Sequence, residues 1–257
     1  MISAYTTAFN LKNYSICFDE VFSNWLYYFD EIVVATFEEE YEETKQELSK
    51  SKYSDQVIVT ARKCDISDVF WEGKLKNHAL RNCSYDIAFQ VDLDERVSGD
   101  KKLLKRMEEG LRQQTFPCSV MLPTLDLFED LHHYITIGGK WYMHHKEGCY
   151  RGAVNFARKE DGTLDHSKSD TCELIDSRGS LIPCVGKVDF SSNNWPKIIH
   201  LGYLNLDERN KVNEFWGKIW NHRKTGELLD TWERKKIKTD SRKKPHNLPL
   251  PLWPTIR

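Results

Sequence analysis

The sequence predicts an α/β fold: a mainly parallel, twisted sheet flanked by helices, with a small antiparallel region in the second half. Three observations carry that prediction. Over the first hundred residues the chain alternates between apolar, β-branched runs and stripes of helical period. The run Ile32-Val33-Val34-Ala35 is continuous enough for a strand buried on both faces. A later strand-like run ends abruptly in the acidic cluster Asp92-Leu93-Asp94-Glu95.

The elements follow in order. Ile2 to Phe9 is rich in β-branched and aromatic residues and reads as a strand, with a polar break at Asn10 to Asn13. Phe18, Val21, Phe22, Trp25 and Phe29 recur at three- and four-residue steps, giving one apolar helix face. Asn13 or Ser15 is the expected cap, and Asp19 with Glu20 suits the positive end of the helix. Glu31 to Phe37 is the second strand, Glu38 to Lys50 a charged, solvent-facing helix, and Val57 to Ala61 the third strand. Gly73 to Cys83 reads as a helix and Tyr85 to Val91 as the fourth strand. Such crossovers place a ligand beyond the carboxyl ends of the strands, here Asn10, Thr36 to Glu38, Arg62 to Asp65, and the Asp92 cluster.

Beyond a helix at Lys101 to Gln113 the pattern becomes mixed. Cys118 to Leu122 reads as a strand, and Asp126 to His133 as an acidic and aromatic segment. Lys140 to His145 and Arg151 to Ala157 are expected to pair as antiparallel strands, and Glu160 to Asp176 to be loop. Val212, Phe215, Trp216, Ile219 and Trp220 form another helical stripe. The expected organisation is one domain over residues 1–233, with a donor-side half at 1–98 and an acceptor-side half at 99–233. A basic, Pro-rich tail at 234–257 is expected to lie extended on the body, because its prolines exclude a helix.

Bulk composition narrows the function. Hydrophobic content of 40% against 30% charged residues fits a folded chain rather than a disordered one. A net charge of -2 gives no reason to expect nucleic acid as the partner. Seven widely spread cysteines without a C-x-x-C pair argue against a zinc ribbon or a disulfide framework. No basic-then-apolar leader precedes the first strand and no apolar run is long enough to cross a bilayer, so a cytoplasmic protein without a transmembrane segment is expected.

Asp92 and Asp94 carry the chemistry. Two carboxylates one residue apart at a strand end repel in a partly dry site, and a hard divalent cation with oxygen ligands relieves that repulsion. The cation also stabilises charge on a departing nucleoside diphosphate. A D-x-D triplet alone is a common feature of solvated turns. Here it follows Lys76-Asn77-His78-Ala79-Leu80, and the whole segment Gly73 to Glu95 resembles family 2 glycosyltransferases of the GT-A fold. In that family a helix with a basic-Asn-x-Ala-Leu pattern leads into an apolar strand ending in Asp-x-Asp-Glu or Asp-x-Asp-Asp. Ala4 to Asn10 and Asp30 to Val34 resemble the family's first two strands, so the likeness covers residues 2–95.

The resemblance implies a divalent-metal-dependent, inverting transferase that moves a hexosyl or deoxyhexosyl group from a nucleotide sugar, a UDP- or GDP-sugar, to a carbohydrate or glycan. It implies that Thr6, Thr7, Asn10, Thr36, Glu38, Lys74, Asn77 and Asp92 line the donor. It implies that Asp92 and Asp94 hold Mn2+ or Mg2+ with His200, which lies in a His-x-Gly-aromatic segment, Ile199-His200-Leu201-Gly202-Tyr203. His78 and Arg81 share a helix face with Lys74 and Asn77. The family's acidic residue after the second strand is replaced by Ala35-Thr36-Phe37-Glu38, leaving base recognition to Thr36 or Glu38. The acceptor base is open among Asp126, Glu129, Asp130, Asp170 and Glu173. Trp141, Tyr142, His144, His145 and Arg151 are the expected acceptor wall. Two other classes compete: a haloacid-dehalogenase-like phosphatase, disfavoured by Arg96 where its signature has Thr or Val, and a non-catalytic sugar- or nucleotide-binding module.

Overall fold

A computed structural model describes residues 1–13, 16–65, 71–128, 133–152, 173–185, 195–203 and 246–247. Among these, nine strands form one sheet in the order β3-β2-β1-β4-β7-β6-β10-β5, with β11 pairing off this path to β7. The first four are β1 (Ile2–Thr7), β2 (Glu31–Phe37), β3 (Val57–Arg62) and β4 (Ile87–Gln90), all mutually parallel. Helices α1 (Phe18–Tyr28), α2 (Tyr41–Leu48) and α3 (Trp71–Asn82) make the crossovers between them. This half is the parallel α/β architecture that the alternating pattern predicts.

The strand residues alternate between the two covered faces. Ala4, Ile32 and Val34 pack with Phe22 and Trp25 of α1, while Tyr5, Val33 and Ala35 pack with Trp71, Leu75 and Ala79 of α3. Strict period-two alternation lets both faces of one apolar run be buried at once. The outer strand β3 is only half-buried, consistent with an edge position.

The second half extends the same sheet. β5 (Glu95–Ser98) and α4 (Lys101–Arg112) are followed by the hairpin β6 (Ser119–Phe128) and β7 (His133–His145), then by β10 (Lys197–Tyr203). β7 runs antiparallel to both β4 and β6, and β10 runs parallel to β6 and antiparallel to β5. A separate two-stranded sheet joins β8 (Tyr150–Gly152) to β9 (Glu173–Ile175). Among the described residues, β7 therefore does not pair with Arg151 and Gly152 as expected. Gly148 turns the chain at φ 74°, and Arg151 enters the small sheet instead.

Further differences concern boundaries. α1 begins at Phe18 with Cys17 as its cap residue, and no described side chain caps it. Glu38–Glu40 forms a 3-10 turn before α2. Of the tail, His246 and Asn247 (β11) pair with Tyr134 and His133. The stripe from Val212 to Trp220 lies outside the described residues. No helix among the described residues is long and apolar enough to cross a membrane.

Gly99 links β5 to α4 at φ +107°, and a Cβ there would lie 2.7 Å from the Trp195 carbonyl oxygen. Gly99→Ala is expected to destabilise the protein by about 1–3 kcal/mol, since both backbone strain and overlap oppose it. A urea midpoint equal to that of the wild type would show that this junction relaxes freely.

Candidate functional site

The site is built where β4 gives way to β5. Val91 continues the parallel ladder by donating to Tyr5 O, and a turn then closes from Glu95 N–H to Asp92 O at 2.8 Å. Leu93 and Asp94 occupy the turn's centre, so both acids leave the sheet at its carboxyl end. The Asp92 and Asp94 side chains remain 41% and 42% exposed, open enough to meet a ligand.

Each acid has a different neighbour. Oδ2 of Asp94 lies 3.0 Å from Nε2 of His200 on β10, and Asp94 O accepts from Leu201 N–H. Oδ1 of Asp92 faces the Lys76 ammonium at 3.9 Å and the Gln90 amide at 3.5 Å. Lys76 is nearly buried and also pairs with Glu72, one helical turn earlier, at 3.1 Å. The family resemblance implies that Asp92, Asp94 and His200 form one metal set. The structure brings Asp94 and His200 together and turns Asp92 toward a cation.

The Asp94–His200 contact has hydrogen-bond length, and the same spacing would suit two neighbouring ligands of a divalent ion. Neighbouring ligands around an octahedral ion with bonds near 2.1 Å stand about 3.0 Å apart. A hard carboxylate oxygen suits Mn2+ or Mg2+, whereas an imidazole nitrogen is the softer ligand and favours Mn2+ over Mg2+. Among the described residues no group of three or more His, Cys, Asp or Glu side chains forms a complete metal cage. The remaining positions would therefore fall to ligand oxygens and water.

Beneath the turn lies a buried polar network. Oε2 of Glu95 accepts from Asp92 N–H at 3.0 Å, and its Oε1 accepts from the Tyr142 hydroxyl at 2.8 Å. Thr124 meets the same hydroxyl at 3.1 Å, and the Trp25 indole donates to Glu95 O at 3.2 Å. Arg96 donates to Leu93 O and Glu95 O and faces Glu20 at 3.4 Å. Burial pushes the Tyr142 phenol up, with the Glu95 carboxylate adding to the effect, so it remains a donor. Burial lowers Arg96, opposed by Glu20 and Asp94.

The remaining donor candidates divide by exposure. Thr6 and Thr36 are buried, and the Thr36 hydroxyl meets that of Thr44 at 3.1 Å, so neither presents its side chain to a cleft. Thr7 and Asn10 are half-buried at the end of β1; Glu38 and Lys74 are exposed. Asn10 takes φ 54°, with its N–H bonded to Glu40. Asn77 exchanges two hydrogen bonds with the Arg151 backbone, at 2.8 and 2.7 Å, and thereby fastens β8 to α3. Thr60 engages His78, and the Lys146 and Cys149 carbonyls engage Arg81.

Of the expected acceptor wall, His144, Arg151 and Tyr142 are buried. His144 is fully buried, with Nε2 2.8 Å from the Tyr5 hydroxyl and Nδ1 2.7 Å from His145 O. Arg151 is also buried and donates to the same Tyr5 hydroxyl at 2.9 Å. Nδ1 of His145 accepts from Cys118 N–H, and Tyr142 serves Glu95. The Trp141 side chain, Glu129, Asp130 and Asp170 lie outside the described residues. Glu173 sits on β9, while the Asp126 backbone pairs with His200, although its side chain is not described.

Burial, with the Arg151 charge, holds His144 well below the usual histidine range. The folded state binds its proton less readily than the unfolded chain does. The buried neutral ring therefore costs nothing above about pH 6.5, the unfolded value, and stability falls as pH drops below it. His144→Gln is expected to flatten the decline in melting temperature between about pH 6.5 and pH 5. An unchanged slope would place that decline on other groups.

Sequence reasoning misses the supporting roles of Glu95, Arg96 and Lys76, and it places Tyr142 against the acceptor rather than beneath the turn. The three-residue step from Asp92 to Glu95, which suits a closed turn, is the signal that could have found Glu95.

No protein-family model and no curated protein matches the chain. Solved structures similar to it include S. aureus TarS 1–349 in complex with UDP, with 17% identity, 49% of this chain and 36% of that chain covered, and a TM-score of 0.32. Another is S. aureus TarS 1–349, with 12% identity, coverage of 83% and 63%, and a TM-score of 0.38. A third is 4-diphosphocytidyl-2C-methyl-D-erythritol synthase from Anaerococcus prevotii DSM 20548, with 10% identity, coverage of 56% and 69%, and a TM-score of 0.34. The chain thus spans 36% of the UDP-bound TarS chain and 63% of the other. TM-scores this low do not carry chemistry from one protein to another.

Proposed function

We propose that this chain is a divalent-metal-dependent glycosyltransferase, inverting and of the hexosyl or deoxyhexosyl type. Its donor is a UDP- or GDP-sugar and its acceptor a glycan or related carbohydrate. The observation that supports this reading is the approach of Asp94 and His200 to 3.0 Å at the carboxyl end of the parallel strands. Mn2+ or Mg2+ held there would offset the charge of the donor diphosphate and of the leaving nucleoside diphosphate.

The chain's own groups supply the rest. Lys76 and Gln90 orient Asp92 at the donor side. Thr7, Asn10, Glu38 and Lys74 surround the strand ends where the nucleotide would lie, and Glu38 is the exposed candidate for reading its base. The acceptor hydroxyl loses its proton to a carboxylate as its oxygen attacks the anomeric carbon and the bond to the diphosphate breaks. That base is open among Asp126, Glu129, Asp130, Asp170 and Glu173.

A thermal-shift panel of nucleotide sugars with and without Mn2+ tests the reading. A donor present at a hundred times its Kd is expected to add about 2.7 kcal/mol of stability, and only with the metal. No stabilisation by any nucleotide sugar with Mn2+ would overturn it. Nucleotide binding without transfer or donor hydrolysis would instead favour a non-catalytic binding module.

A further inference from the structure

We propose that Glu95 is the positioning residue of the cation site, setting Asp92 and Asp94 through the backbone between them. This assignment rests on the reading of Asp94 and His200 as cation ligands.

Glu95 is 1% exposed, yet it belongs to a turn whose two aspartates are about two-fifths exposed. A carboxylate this deep persists only if its oxygens are bonded. One oxygen takes the Asp92 N–H and the other takes the Tyr142 hydroxyl, which also meets Thr124. The side chain thus ties the start of the turn to two neighbouring strands, β6 and β7. Trp25 and Arg96 hold Glu95 O, and Arg96 also holds Leu93 O. Leu201 N–H fixes Asp94 O on the far side.

The turn is therefore restrained at Asp92 N, Leu93 O, Asp94 O and Glu95 O, while its acidic side chains stay open to a ligand. Rigid supports of this kind hold ligand groups in place before the ion arrives. Among the described residues, Glu95 bonds the turn through a side chain that is itself anchored to the sheet by a second side chain, which makes Tyr142 its partner.

The chemistry of the pair separates positioning from charge. In Glu95→Gln the amide oxygen can still accept from Asp92 N–H. Its amide group can donate to the Tyr142 oxygen, and Tyr142 then donates to Thr124. Both of these bonds survive while the charge is lost. In Tyr142→Phe the charge remains and one anchor goes. In Glu95→Ala both bonds are removed.

The test compares Mn2+ affinity in the presence of UDP or GDP, and amide hydrogen exchange over residues 91–95, in proteins shown by circular dichroism to be folded. Glu95→Ala is expected to weaken Mn2+ binding by about tenfold to a hundredfold, Tyr142→Phe by a smaller factor, and Glu95→Gln by less than about twofold. Exchange at the turn should quicken in the same order, with exchange in α1 and β2 unchanged. If Glu95→Ala does not fold, Tyr142→Phe and Glu95→Gln decide between the outcomes. Exchange at the turn as slow in Tyr142→Phe as in the wild type overturns the proposal, as does a Glu95→Gln variant as impaired as Tyr142→Phe. Failure of wild-type protein to bind Mn2+ would count against the cation site itself, while the exchange measurement would still decide the positioning role.

Discussion

Replacing Asp94 with alanine is expected to lower metal-dependent transfer by at least about 10²–10³-fold, the loss typical of removing one group that stabilises charge in the transition state. The fold should survive. The side chain is 42% exposed, and the bond that secures this part of the turn uses the Asp94 carbonyl, which alanine keeps. The loss should fall on kcat at saturating donor, and excess Mn2+ should restore little of it. His200→Ala should be milder, raising the Mn2+ concentration needed for half-maximal rate, because an imidazole can be replaced by water. Steady-state kinetics across a Mn2+ titration measure both. Wild-type turnover in the Asp94 variant would remove the central assignment.

The largest expected effect on stability belongs to Trp25. Its side chain is fully buried on α1, packs against Phe22 at a ring separation of 6.1 Å, and donates its indole N–H to Glu95 O. Trp25→Ala should cost about 3–5 kcal/mol through lost burial and the cavity left behind. Chemical denaturation monitored by circular dichroism reads this directly. Because the indole also supports the turn, the variant should lose activity at temperatures where it is still folded. A cost under about 1 kcal/mol would mean that α1 does not dock on β5 as the structure shows.

Much of the first half is legible in the sequence because local pattern and tertiary outcome agree there. The alternation of Ala4, Tyr5, Ile32, Val33 and Val34 between two buried faces is visible in the letters, as is the stripe from Phe18 to Trp25 on α1. Asp92 and Asp94 are legible as a pair because charges that directly follow an apolar strand mark the point where the chain leaves the sheet. Of the hairpin of β6 and β7, the segments Cys118 to Leu122 and Lys140 to His145 read as strands, but their pairing with each other is not legible. Its segments pair with partners fixed by the whole sheet, and Asp126 at a strand position breaks the apolar pattern. β5 also escapes detection, since Glu95-Arg96-Val97-Ser98 looks polar, although all four residues are buried by contacts from elsewhere in the chain. The reading of His144 and Arg151 as a ligand-facing wall fails because sequence does not reveal that both would engage the Tyr5 hydroxyl. Burial of polar side chains depends on partners distant in sequence, here 139 and 146 positions away from Tyr5.

The pairing of β5 with β10 carries a consequence for biosynthesis. Among the described strands, β5 hydrogen-bonds only to one that emerges from the ribosome much later, so the N-terminal layer can acquire its helices and parallel ladder while Asp94 still lacks its Leu201 and His200 partners. The contact between Asp94 and His200 would then form late in translation, and a truncated product that stops short of Lys197 would lack it.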